Sequence, residues 1–201
     1  MSAPANRTTA AGRVLRLAYH AARNLPDRVL HRGRHRSALG RIARSARPRK
    51  ILVVCYGNVC RSPYLKAVLQ RQLTDVVVSS AGFFGSDRTV PQLALASGAK
   101  RGLDLSSHRS RPLTQSTVKG ADLIIVMDSA QAQQLAKMFR VDARRIVIAG
   151  DLDPRFEKGR AITDPWKQPP EVFEASFDRL DRCAASLINM VQGLDANVDV
   201  E

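Results

Sequence analysis

From Ile51 onward one repeated pattern leaves few folds open: a short apolar, largely β-branched run, then an amphipathic segment. The runs are "ILVVC" (51–55), "DVVVSS" (75–80), "ADLIIVMD" (121–128) and "RIVIAG" (145–150). Runs this short and continuous read as strands buried on both faces, and such strands belong to parallel sheets sandwiched by helices. Helices are expected from Ser62–Pro63, over "PQLALASGAKRG" (91–102), over "AQAQQLAKMF" (130–139) and over 170–192. Pro63 suits a first helical turn. The expected fold is therefore α/β: a three-layer domain with a central parallel sheet of about four strands and helices on both faces. Ligands of such sheets bind at the carboxyl ends of the strands, which is where the turn after the first strand falls.

The 201 residues carry a formal charge of +14, but it is unevenly spread. Residues 1–50 hold twelve arginines and Lys50 against Asp27 alone, a net of +12, which leaves +2 for the rest. The basic character belongs to a leader, and the nearly neutral domain is not built to bind a specific nucleic acid. The expected organisation is a basic extension over 1–48, a domain over 49–192 and a tail over 193–201. Within the extension, 1–11 reads as unstructured, 13–30 as a helix ended or kinked by Pro26, and 31–50 as a solvated basic linker. Such a segment suits an anionic membrane surface, an organelle-targeting role or a disordered extension. Three cysteines are too few for a disulfide scaffold, and no apolar run reaches the ~20 residues needed to cross a bilayer. The cytoplasm is the expected compartment.

The turn "VVCYGNVCRSP" (53–63) carries the chemistry. Cys55 and Cys60 have poor spacing for zinc, with His108 the lone further ligand candidate, and wrong spacing for a Cys-x-x-Cys redox pair. A loop built to hold an anion accounts for the whole run. Backbone N–H groups converge where a strand turns sharply into a helix, and the helix N-terminus adds positive potential. Gly57 permits the backbone angles and Asn58 tolerates a left-handed conformation. Arg61 grips two phosphate oxygens in a fork. Cys55 sits at the base, where these groups favour the nucleophilic thiolate, and Ser62 is placed to hydrogen-bond the sulfur. No metal or cofactor is called for.

A phosphate ester also needs a proton donor for its leaving oxygen. "ITDPWKQPPEVF" (162–173) supplies Asp164 in a proline-punctuated loop, with Trp166 beside it. Asp153 is the rival, but Arg155, Glu157, Lys158 and Arg160 around it read as an open, solvated turn.

Cys55-x5-Arg61-Ser62-Pro63, "SAG" at 80–82, "HRSRPL" at 108–113, "DLIIVMD" at 122–128 and "DPW" at 164–166 occur in the order seen in low-molecular-weight protein tyrosine phosphatases. Roughly residues 51–191 resemble that family in its bacterial form. The resemblance implies Cys55 as nucleophile, Arg61 as phosphoryl binder and Asp164 as acid, then base, around a cysteinyl-phosphate. It implies a loop-steadying network of Asn58, Ser62, Ser80 and His108. It further implies a phosphotyrosine protein substrate, reached through a cleft walled by Tyr56 and Trp166, with Phe83 or Phe84 added. Gly57, Asn58, Val59, Cys60 and Ser62 complete the expected binding residues. Cys60 is either a reversible disulfide partner for Cys55 or a loop filler. Trp166–Lys167 departs from a tyrosine pair common in the family, as does "SPYLKAVL" (62–69) from its usual helix start. The implied partner is a tyrosine autokinase of polysaccharide export. Two other activities share the scaffold. Protein-arginine phosphatases resemble a loop with threonine where Val59 stands, and arsenate reductases need further cysteines that the stretch between Cys60 and Cys183 lacks.

Overall fold

Ile51, Val53 and Val54 are wholly buried, as a strand covered on both faces must be. The computed structural model describes residues 25–44, 47–157 and 159–196. Its elements are α1 (Leu25–Arg44), β1 (Lys50–Cys55), α2 (Arg61–Gln72), β2 (Val77–Gly82), α3 (Gln92–Ala99), α4 (Gln115–Lys119), β3 (Leu123–Val126), α5 (Ser129–Phe139), β4 (Ile146–Ile148) and α6 (Pro170–Ala196). The strands form one sheet in the order β2-β1-β3-β4, every pair parallel. Val54 lies between Ala81 of β2 and Val126 of β3. The chain thus runs outward from β1 to β2 and then crosses back to β3, so the order reverses at β1 and opens a crevice at its carboxyl end.

Strand alternation divides the core. Ile51, Val53 and Cys55 face a cluster with Tyr64, Leu65 and Leu69 of α2 and Phe173, Phe177 and Leu180 of α6. Leu52 and Val54 face Val118 of α4 and Leu135 and Phe139 of α5. This is the expected three-layer α/β domain. Tyr64, the departure in "SPYLKAVL", ties α2 to α6: its ring stacks on Phe177 at 3.8 Å and its hydroxyl donates to Asp181 at 2.6 Å.

The differences from expectation are local in sequence. "RIVIAG" pairs only over 146–148, because Ala149–Leu152 tightens into a 3-10 turn. Helix α4, not foreseen, starts at Thr114, whose hydroxyl accepts from the Thr117 N–H while Thr117 reaches back. The larger correction concerns 31–50. This stretch is no solvated linker, since α1 extends to Arg44 and buries a stripe of His31, Ala38 and Ile42 in the first core cluster and against residues 149–156. His35, on the same stripe, donates through Nδ1 to the Asp151 carbonyl at 2.9 Å. Pro26 lies in the first described turn of α1, and whether an earlier helix ends at it falls outside the described residues. The expected unstructured 1–11 and most of the expected helix over 13–30 lie outside the described residues.

Candidate active site

β1 ends at Cys55 and α2 begins at Arg61, so the turn between them is only five residues long. Among the described residues, none of the backbone N–H groups of Gly57, Asn58, Val59 and Cys60 finds an acceptor. Asn58, Val59 and Cys60 are buried, and buried N–H groups are rarely left without partners. Four of them gathered at a helix N-terminus make an anion cradle. Arg61 repeats the signature: it is 3% exposed, its Nη1 donates to the Ile162 carbonyl at 3.0 Å, and its Nε has no partner among the described residues.

Asn58 takes the left-handed conformation at φ 49°, as expected. Gly57 does not, and a Cβ there would meet only the Arg88 guanidinium, the movable end of a long side chain. Gly82, at the end of β2, admits the loop's backbone: a Cβ would lie 2.7 Å from the Tyr56 carbonyl.

The hydrogen bonds around Asn58 run in one direction. The Arg111 N–H donates to Asn58 Oδ1 at 2.9 Å, which fixes the amide so that Nδ2 donates to Ser62 Oγ at 2.8 Å. The Ser62 proton is then left for Cys55 Sγ, 3.0 Å away. His108 Nε2 donates to the Asn58 carbonyl at 2.8 Å. Burial, then the neighbouring cations Lys66, Arg111 and Arg109, push the His108 pKa below its ordinary value, against the pull of that carbonyl. Asn58, Ser62 and His108 therefore join the loop as expected. Ser80 does not: it is buried on β2 beside His108, and among the described residues its hydroxyl makes no hydrogen bond to the loop.

Asp164 reaches the cradle from the far side, on a loop between the end of β4 and α6. The Ile162 N–H bonds the Met127 carbonyl at 2.9 Å, and Ser176 Oγ donates to the Thr163 carbonyl at 3.0 Å. So held, Asp164 Oδ2 pairs with Arg61 Nη2, while Oδ1 accepts from the Trp166 N–H at 3.2 Å. The rival Asp153 is not in an open turn. It is fully buried, with Arg182 at 2.8 Å and Arg179 at 3.3 Å, and is occupied in holding α6 against the 149–160 segment. Burial, the largest single influence, would raise its carboxyl, but the hydrogen bonds from Arg182 and the Arg155 N–H together with the charges of Arg182 and Arg179 keep it below the usual range.

The cleft over Cys55 encloses about 180 Å³ and is lined by Tyr56, Phe84, Trp166, Val59, Asp164 and Arg88, among others. Tyr56 and Trp166 are walls, as expected. Phe84 is the third, stacked on Tyr56 at 5.9 Å; Phe83 packs against the second core cluster instead. Cys60 lies within the loop, and its thiol is pushed up to about 12 by burial, then by the charges of Cys55 and Asp164. All three cysteines are unpaired, and Cys183 packs in the core as expected. Arg88 is the residue that sequence reasoning missed. Its Nη2 donates to the Gly57 carbonyl at 2.7 Å, and its guanidinium lies 5.9 Å from the Trp166 ring, joining the phosphate loop to the acid loop. Nothing in its local sequence announces this.

A thiol beneath unpaired N–H groups, with a guanidinium beside it and a carboxyl across the mouth, is the architecture of a cysteine-dependent phosphatase. Residues 50–199 match the family model described as low molecular weight phosphotyrosine protein phosphatase. The low molecular weight protein-tyrosine-phosphatase Wzb of Escherichia coli K12 is 32% identical over 139 residues, covering 67% of this chain and 89% of Wzb. Among solved structures, the tyrosine phosphatase Wzb from Escherichia coli K30 in complex with sulphate has a TM-score of 0.65 at 27% identity, over 71% of this chain and 97% of its own. The YwlE arginine phosphatase from Geobacillus stearothermophilus has a TM-score of 0.66 at 27% identity, over 77% and 98%. This chain belongs to the low molecular weight phosphotyrosine protein phosphatase family.

Proposed function

We propose that this chain hydrolyses phosphotyrosine in proteins through a cysteinyl-phosphate on Cys55. The observation that carries the reading is that the N–H groups of Gly57, Asn58, Val59 and Cys60 and the Nε of Arg61 find no partner among the described residues, in the loop that lines the same cleft as Cys55. In the first step the Cys55 sulfur attacks phosphorus as the bond to the tyrosyl oxygen breaks, and Asp164 gives its proton to that oxygen. In the second, the ionised Asp164 takes a proton from water, whose oxygen displaces the sulfur and frees phosphate. The loop N–H groups and Arg61 meet the charge on the equatorial oxygens in both steps. Ser62, turned toward Sγ by Asn58, steadies the thiolate when it leaves.

Tyr56, Phe84 and Trp166 favour an aromatic ring between them, and phosphotyrosine is long enough to pass them and reach the cradle. Val59, 5% exposed, offers methyl groups where a hydroxyl would suit the guanidinium of phosphoarginine. The substrate partner is a tyrosine-phosphorylated protein; the family likeness points to a tyrosine autokinase of polysaccharide export. A cytoplasmic setting suits the unpaired cysteines, and among the described residues no helix is long and apolar enough to cross a membrane. The outer face of α1 exposes Arg32, Arg36 and Arg44 with Val29 and Leu30, which supports docking of the basic extension on an anionic bilayer. Flotation with anionic liposomes checks this; equal flotation of wild type and of Arg32→Gln/Arg36→Gln/Arg44→Gln, which leaves the buried stripe of α1 in place, would refute it.

The test of the activity is phosphate release from matched phosphotyrosine, phosphoserine and phosphoarginine peptides by wild type and Cys55→Ser. Release confined to phosphotyrosine and lost in the variant is expected. Preference for phosphoarginine would move the substrate class, and full activity in Cys55→Ser would remove the nucleophile.

A further inference from the structure

The cleft over Cys55 is not the largest cavity. Behind the phosphate loop, between α2, the edge strand β2 and the 102–111 loop, lies a groove of about 570 Å³. Lys66 and Arg71 line it from α2, Arg109 and Arg111 from the loop, and Asp104 is the lone carboxylate in its wall. Asp104 is itself engaged, accepting from the Ser106 N–H at 2.8 Å. Among the described residues, neither Lys66 nor Arg111 has a carboxylate partner, and the hydroxyls of Ser80 and Ser107 have no hydrogen bond. Cations that converge on a concave surface without counter-charges raise the local concentration of anions. The volume falls in the range that small-molecule sites occupy, about 300–1,000 Å³.

We propose that this groove binds an oligophosphate-bearing small molecule of the nucleoside-triphosphate class, and that His108 relays its presence to the phosphate loop. His108 stands in the groove wall and holds the Asn58 carbonyl at 2.8 Å, on the residue that orients Ser62 toward Cys55. Lys66, Arg109 and Arg111, which face His108 from α2 and from its own loop, disfavour its protonation together with burial. An anion among those cations offsets their field and strengthens the Nε2–H donor. The free Ser80 and Ser107 hydroxyls and four cations suit several phosphate groups in a row better than a single one.

ATP titrated calorimetrically into the full chain, preloaded with orthovanadate to fill the Cys55 loop, tests the site. The expected result is one ATP per chain, bound at least tenfold more weakly by Lys66→Gln/Arg71→Gln and with unchanged affinity by Lys119→Gln/Lys137→Gln, a charge-matched pair outside the groove. Inorganic tripolyphosphate is expected to bind at the same site. With saturating p-nitrophenyl phosphate, ATP is expected to change kcat at least twofold in wild type. The Lys66→Gln/Arg71→Gln variant should lose that response, its basal rate shifted in the direction that ATP moves wild type, because the Lys66 charge no longer acts on His108. No ATP heat with the vanadate-loaded protein, or equal weakening in both double variants, overturns the proposal.

Discussion

Replacing Asn58 separates the two things that residue does. It sits at φ 49° and is fully buried, its amide bridging Arg111 N–H and Ser62 Oγ at 2.9 and 2.8 Å. Asn58→Ala removes two hydrogen bonds worth about 1 kcal/mol each. It also puts a residue with no polar side chain into the left-handed region, which costs about 1 kcal/mol more. The sum, about 3 kcal/mol, corresponds to roughly a hundredfold or slightly more at 1.36 kcal/mol per decade. Asn58→Gly loses the same bonds but not the backbone tolerance, so its deficit is about 2 kcal/mol, or roughly thirtyfold. The assay is kcat/KM on a phosphotyrosine peptide, with orthovanadate affinity as a measure of loop order and thermal unfolding as a control for the fold. Expected activity falls in the order wild type, Gly, then Ala. If Asn58→Ala stays within threefold of wild type, the hydrogen-bonded chain does not hold the loop. If Gly is no better than Ala, the backbone argument is wrong.

Four further outcomes follow from the same geometry. Asp164→Asn should lower kcat by about 10²–10⁴ on phenyl phosphate, and far less on 2,4-dinitrophenyl phosphate, whose leaving group needs no proton; equal losses on both would show that Asp164 is not the acid. Arg88→Ala removes the Gly57 bond and the Trp166 contact, so KM should rise about three- to tenfold with kcat within twofold, and an unchanged KM would leave Arg88 without a role in the cleft. After brief peroxide treatment, wild type should recover more activity with dithiothreitol than Cys60→Ser, and more at pH 9 than at pH 6, because the Cys60 thiol is pushed up to about 12; identical recovery would make Cys60 a filler. Hydrogen bonds from Arg101 and Lys100 lower the Glu174 carboxyl from 4.5 to about 2, so its contribution to stability is present above about pH 4.5 and is lost as pH falls through about 2. Glu174→Gln should melt below wild type at pH 7 and level with it near pH 2, and a gap constant over that range would contradict the assignment.

What was legible in the sequence divides along the distance between partners. The phosphate loop could be read because its parts are consecutive: Cys55, Asn58, Arg61 and Ser62 satisfy one another or the ligand within eight residues. The strands could be read because burial on both faces leaves apolar runs behind. Asp153 was misjudged because its immediate neighbours are charged, whereas the arginines that bury it stand 26 and 29 residues onward on α6. The part of α1 from His31 onward reads as a linker for a related reason. Its inward stripe is His31, His35, Ala38 and Ile42, spaced as a helix face should be, but two of the four are polar. Histidine counts as inward only once Phe156 and the Asp151 carbonyl are known to await it. Arg88 is the same case at the active site, for its partners, Gly57 and Trp166, come together only when three loops meet at the carboxyl edge of the sheet. A charged side chain carries no periodic signal, and its meaning lies in what faces it. The chemistry of this chain was therefore readable before its fold was known, while the residues that position and surround that chemistry were not.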